Sequence, residues 1–97
     1  MENSFLYLLE SLKYKSRYLG STNCPGRRIK EHNSRKVEAT KLKAPWRCVF
    51  VINVGDLNTA REIEMYIKKN KEALSIENIV KILNRYYRKK GAISSVG

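Results

Sequence analysis

A chain of 97 residues with 20 lysines and arginines against 9 aspartates and glutamates carries a formal charge of +11, with room for one modest core. Hydrophobic residues at 42% and charged residues at 30% lie in the globular range and argue against wholesale disorder. The charge calls for an acidic partner, and a polyphosphate backbone suits it, because each neutralised phosphate releases counterions and gives affinity without reading sequence. On charge alone, a solvated surface and an anionic membrane stay open.

The first apolar run, Phe5 to Leu9, is broken by Glu10, which makes it too short for a signal segment or a membrane span. No membrane partner is therefore expected. The expectation is a soluble intracellular protein, in a prokaryotic cytoplasm or, in a eukaryotic or viral setting, in a nucleus or viral factory. The run reads as a strand with Phe5, Tyr7 and Leu9 on one face, and residues 14–20 read as a second strand, close enough to pair with it as a hairpin. Asn23, followed by Cys24 and Pro25, reads as the N-cap of a helix reaching to about Asn33 and carrying Arg27, Arg28, Lys30 and His32. Residues 34–45 are polar and basic without a useful period and read as a surface loop that includes Lys41 and Lys43.

Residues 46–54, nearly continuous in apolar and β-branched side chains, read as a strand buried on both faces. Asp56-Leu57-Asn58-Thr59 followed by Glu62 is helix-start chemistry, including a capping box from Thr59 to Glu62, for a helix from about Asn58 to Asn70. A last helix, about 75–90, places Ile76, Ile79, Val80, Leu83 and Tyr87 on one side, with Lys81, Arg85, Arg88 and Lys89 mostly on the other. No linker divides the chain, so a single domain over 1–97 and an α+β class are expected. Cys24 and Cys48, far apart and outside any C-x-x-C, form neither a metal knuckle nor a disulfide framework and read as buried free thiols.

At 100° per residue, Arg28, Ile29 and His32 share one arc of the first helix, while Arg27 and Lys30 point elsewhere. On the second helix, Glu64 falls among Ala60, Ile63 and Ile67, and Glu62 faces the opposite way. A carboxylate beside the core needs a cation or N–H donors, since unpaired burial costs several kcal/mol. A structural ion pair is the ordinary answer. Likewise, strand tyrosines such as Tyr7 and Tyr18 are usually packing residues, and a lone histidine such as His32 is usually structural.

The ordered set alters that balance. Phe5-Leu6-Tyr7, Tyr18-Leu19-Gly20, Gly20-Ser21-Thr22, Arg28-x-x-x-His32-Asn33, Pro45-Trp46 and Ala60-x-x-x-Glu64 with Ile67-Lys68 follow one another on the predicted strands and helices. Over about residues 5–70 the chain resembles the GIY-YIG nuclease family, with FLY and YLG in place of GIY and YIG. The resemblance implies a three-stranded antiparallel sheet flanked by helices; the basic C-terminal helix lies outside it and reads as an extra element that widens the DNA footprint. It also implies hydrolysis of DNA with one Mg²⁺ or Mn²⁺.

By position, Glu64 would bind the metal and Arg28 the phosphate. Tyr7 would accept a proton from the attacking water, with Lys15 and Arg17 as candidates to lower its pKa. Tyr18 would position the water or phosphate, His32 would orient Tyr7 or assist proton transfer, and Asn78 is the best-spaced asparagine beyond the glutamate. Lys15, Arg17, Arg27, Lys30, Lys41, Lys43 and Asn78 are the candidate DNA contacts. With no second domain to read bases, low sequence specificity is expected on duplex, nicked or branched DNA, with a protein partner or self-association as its possible source. A non-catalytic DNA- or RNA-binding module is the rival reading; a basic accessory or ribosome-associated protein explains the charge but none of the motifs.

Overall fold

The computed structural model describes residues 3–70 and 74–89. Its strands are β1 (Ser4–Ser11), β2 (Arg17–Thr22) and β3 (Trp46–Gly55), and its α-helices are α1 (Pro25–Asn33), α2 (Leu57–Lys69) and α3 (Ile76–Lys89), with one 3-10 turn at Lys41–Lys43. The sheet is antiparallel in the order β2-β1-β3, which bears out the α+β expectation. Among the described residues no helix is long and apolar enough to cross a membrane.

The strand buried on both faces is β1 and not β3. Leu6, Tyr7, Leu8 and Leu9 are all at most 1% exposed, whereas Val51 in β3 is 47% exposed. The cause is strand order: β1 pairs on both sides, and β3 is an edge strand that buries Trp46 and Val54 at its ends and leaves residues 48–52 between them half covered or exposed. Composition alone does not separate a central strand from an apolar edge strand.

Alternation along β1 divides the interior in two. Leu6 and Leu8 face Leu19 of β2, Ala60, Ile63 and Ile67 of α2, and Ile79, Ile82, Leu83 and Tyr86 of α3. Tyr7 and Leu9 face the other way, into a smaller cluster with Ala44, Trp46, Tyr18 and Ile29. Asn33 at the end of α1 ties this second layer to β3: its amide oxygen accepts from the Trp46 N–H at 2.5 Å and its amide nitrogen donates to the Trp46 carbonyl at 3.0 Å.

Several local expectations change. β2 begins at Arg17, because Tyr14, Lys15 and Ser16 form the hairpin turn, with the Tyr14 N–H donating to Ser11 Oγ. The α1 N-cap is Cys24, one residue after Asn23, since Pro25 already occupies the first turn; Thr22 Oγ1 accepts the Cys24 N–H. For α2 the cap is Asp56, which accepts from the Thr59 N–H at 2.7 Å and is held below its ordinary carboxylate pKa by that bond. Glu62 instead accepts the Tyr86 hydroxyl, so the predicted Thr59–Glu62 box is not the cap.

The buried stripe of α3 is Ile79, Ile82, Leu83 and Tyr86, rotated from the predicted face; Ile76 and Val80 are exposed, and Tyr87 is half-buried. The Tyr86–Glu62 bond fixes that rotation, while Lys90, the predicted end, lies outside the described residues. The cysteines are not buried thiols: Cys24 is exposed at a helix cap, and Cys48 is half-covered on the edge strand. The segment 34–45 is not simply a surface loop, because Thr40 and Ala44 are buried under it.

Candidate active site

The hairpin register sets Tyr7 opposite Gly20 and Leu9 opposite Tyr18, so both tyrosines lie on the α1 side of the sheet. One turn apart on α1, Arg28 and His32 reach the same spot, as their shared arc predicts. The Tyr7 hydroxyl lies 2.8 Å from His32 Nε2, and the Arg28 guanidinium stands close enough to lower the Tyr7 pKa. Tyr18 closes the group, its ring centroid 5.2 Å from that of His32 and 6.4 Å from that of Tyr7.

Gly20 makes this packing possible. A Cβ at that position would stand 2.5 Å from Tyr7 Oη and 2.7 Å from Cζ, so the phenol lies directly over a backbone with no side chain. On the neighbouring position of β2, Ser21 points to the opposite face, where its hydroxyl donates to Glu64 Oε1 at 2.9 Å. Lys68, one turn on, donates to Glu64 Oε2 at 2.7 Å. The site therefore straddles strand β2, with the tyrosines, arginine and histidine on one side and the glutamate on the other.

Electrostatics connect the halves. Burial, the largest influence, pushes the Tyr7 hydroxyl up to about 12; Arg28 opposes that, and the Tyr18 and Glu64 charges reinforce it. The cation beside Tyr7 is thus Arg28. Arg17 and Lys15 do not serve: the register pairs Arg17 with Glu10, its guanidinium bonds Glu10 and the Leu74 carbonyl, and Lys15 sits exposed in the turn. His32, wholly buried, has its pKa lowered first by burial and then by the Arg28 charge, so it is neutral at physiological pH. Arg28 is itself held by Glu31 at 2.9 Å, which raises the Arg28 pKa and lowers that of Glu31.

A cavity of about 520 Å³ opens beside Arg28, lined by Ser4, Ser21, Thr22, Arg27, Glu31 and Leu57 among others. Arg27, on its rim, makes a long contact of 3.8 Å with Glu31. Lys30 is exposed on α1 without a carboxylate partner among the described residues. Lys15, Arg17, Lys41 and Lys43 gather at the other end of the hairpin: Lys43 Nζ donates to Ser16 Oγ at 3.2 Å, Ser11 Oγ donates to the Lys43 carbonyl, and Lys41 pairs with Glu38. Tyr7 to Ser11 spans about 13 Å of strand, so this basic group is separate from the tyrosines. Asn78 lies in the first turn of α3, its N–H donating to Ser75 Oγ, and does not line the cavity.

Ser21, Lys68, Glu31 and Thr40 were not among the sequence-derived site residues. Glu31 was available from i,i+3 helix spacing with Arg28. Thr40 carried no signal, for it reaches His32 Nδ1 at 2.7 Å from a segment without periodicity.

Residues 3–85 match the model of the GIY-YIG catalytic domain, and the chain belongs to that family of nucleases. Its members generally use divalent metal ions. No curated protein matches the chain.

Proposed function

We propose that the chain is an endonuclease that hydrolyses DNA phosphodiester bonds with a divalent cation, Mg²⁺ or Mn²⁺, held at Glu64. One observation carries the reading: Arg28, which stands beside the Tyr7 hydroxyl, lines the same polar cavity as Ser21, whose hydroxyl bonds Glu64. Arg28 and Ser21 would thus link that opening to Tyr7 on one face of the sheet and to Glu64 on the other.

The donors suit a hard cation that keeps several waters. Glu64 and Ser21 offer oxygen atoms, and Lys68, whose side chain is 53% exposed, is free to swing off the carboxylate. Among the described residues no cluster of three or more His, Cys, Asp or Glu could cage a metal, which fits an ion bound by one carboxylate and the substrate. A cation there would offset the negative charge that grows on the scissile phosphate and the departing 3′ oxygen. Arg28 would bind a non-bridging oxygen, Tyr7 would accept a proton from the attacking water as its own passes to His32, and Tyr18 would hold the phosphate or water in line. Lys15, Arg17, Arg27, Lys30, Lys41 and Lys43 would contact the DNA backbone on either side, with Asn78 the remaining candidate contact.

The domain would read DNA by shape more than by base, with a partner protein or a second copy as a source of specificity. The rival, a non-catalytic nucleic-acid-binding module, draws on one observation: Lys68 already neutralises Glu64 at 2.7 Å. Incubation with supercoiled plasmid and with branched DNA, in Mg²⁺ and in chelator, decides between them. Mg²⁺-dependent nicking that Tyr7→Phe abolishes supports the nuclease; tight binding with no cleavage of any form supports the module.

A further inference from the structure

The hydrogen bonds around His32 run in one direction. Arg28, beside the phenol, carries only donors and offers the Tyr7 proton no acceptor. The Tyr7 proton then needs an acceptor, and among the described residues the only one in reach is His32 Nε2 at 2.8 Å. Nε2 must therefore present a lone pair, which leaves the ring proton of neutral His32 on Nδ1, pointed at Thr40 Oγ1 at 2.7 Å. Thr40 in turn can donate to the Val37 carbonyl at 3.5 Å. Reversing the order would leave the Tyr7 proton without an acceptor in a buried site, at a cost on the order of 1–3 kcal/mol.

Thr40 is itself locked in place. It is 1% exposed, its N–H donates to the Val37 carbonyl at 3.1 Å, and its own carbonyl accepts the Trp46 indole N–H at 3.0 Å. The hydroxyl is therefore held against Nδ1 by the wall of the second core cluster.

We propose that Thr40 is a positioning residue of the site: it fixes the Nδ1–H tautomer of His32, so that Nε2 can take the Tyr7 proton as the phenol oxygen takes one from substrate water, with the positive charge left on a doubly protonated His32. Thr40 never meets substrate, and its effect passes through His32 to Tyr7. This assignment rests on the nuclease reading for its catalytic consequence, but its tautomer is measurable without DNA or metal.

His32 is the single histidine of the chain, so its two ring nitrogens give an unambiguous pair of signals in a long-range proton–nitrogen correlation spectrum. Wild type is expected to show Nδ1 protonated at neutral pH. Thr40→Val keeps the shape and removes the acceptor; it should shift the ring toward the Nε2–H form and lower kcat about 100-fold with KM little changed, the size expected for a misdirected proton acceptor. Thr40→Ser, which restores a hydroxyl, should recover both the tautomer and the rate. An Nε2–H wild type overturns the proposal, as does a Thr40→Val variant that keeps the wild-type tautomer and rate. If Thr40→Val does not fold, the wild-type spectrum and the Thr40→Ser pair carry the test. The expected tautomer with no cleavage of any DNA would overturn the nuclease reading and leave the assignment of the ring proton standing.

Discussion

Adding one methyl group at Gly20 tests the packing of the site most directly. The Cβ of Gly20→Ala would lie 2.5 Å from Tyr7 Oη, 2.7 Å from Cζ and 3.1 Å from Tyr18 Cε2, all well inside ordinary contact. The phenol has little room to retreat, since Tyr7 is 1% exposed and bonded to His32. Overpacking of a filled core costs about 1–3 kcal/mol. Displacing the ring also weakens the Tyr7–His32 bond, a net loss of about 1 kcal/mol. Offset by roughly 0.5 kcal/mol from a stiffer unfolded chain, the balance is about 1.5–3.5 kcal/mol. For a domain of this size that lowers Tm by about 6–28 °C. Gly26→Ala is the control, because a Cβ there meets nothing within 4 Å and the helix gains propensity. Thermal unfolding by circular dichroism reads both, and plasmid nicking reads the Tyr7 geometry. A Gly20→Ala protein that melts with wild type and nicks at its rate would refute the close approach of phenol and backbone.

Glu64→Gln should reduce cleavage by several orders of magnitude while DNA binding survives or tightens, whereas Glu62→Gln, which loosens the Tyr86 contact away from the candidate site, should cut normally with a slightly lower Tm; a fully active Glu64→Gln in limiting Mg²⁺ sinks the metal assignment. Because burial and Arg28 lower the folded pKa of His32 below its ordinary 6.5, its contribution to stability is present above pH 6.5 and is lost as pH falls from there through the folded value. Melting curves between pH 7.5 and 5.5 should show that loss in wild type, and an equal loss in His32→Gln would assign it elsewhere. Log affinity for duplex DNA should fall against log salt with a slope of about −4 to −5, reduced by about one each for Lys15→Ala and Lys43→Ala. A flat salt response in fluorescence anisotropy would remove backbone contacts from the account.

The sequence was most informative where a period carries the signal. Arg28 and His32, four apart, had to share an arc of α1, and Glu64 had to fall beside Ala60 and Ile67, because helical geometry leaves no choice. Hairpin pairing was legible too, but its register was not, and that is why Arg17 was set beside Tyr7 when it pairs with Glu10. Strand order was likewise hidden: β1 and β3 are both apolar runs, and only the fold decides which lies in the middle. Thr40 lay beyond reach, since its contact with His32 depends on how an aperiodic segment folds beneath Trp46.

The placement of the site astride β2 bears on how such a domain would decay. Tyr7, Tyr18 and His32 belong to the inner packing of the α1 layer, where Tyr7 and His32 are at most 1% exposed and fill space that any substitution would have to refill. Glu64, on the opposite face, is a partly covered carboxylate held by a serine and a lysine and belongs to neither apolar cluster. A lineage that abandoned chemistry would shed the glutamate early and keep the tyrosines, the histidine and the glycine beneath them for generations, because stability alone preserves them. In descendants of this architecture the aromatic motifs would then record ancestry, and the carboxylate on the second helix would be the first mark to fade.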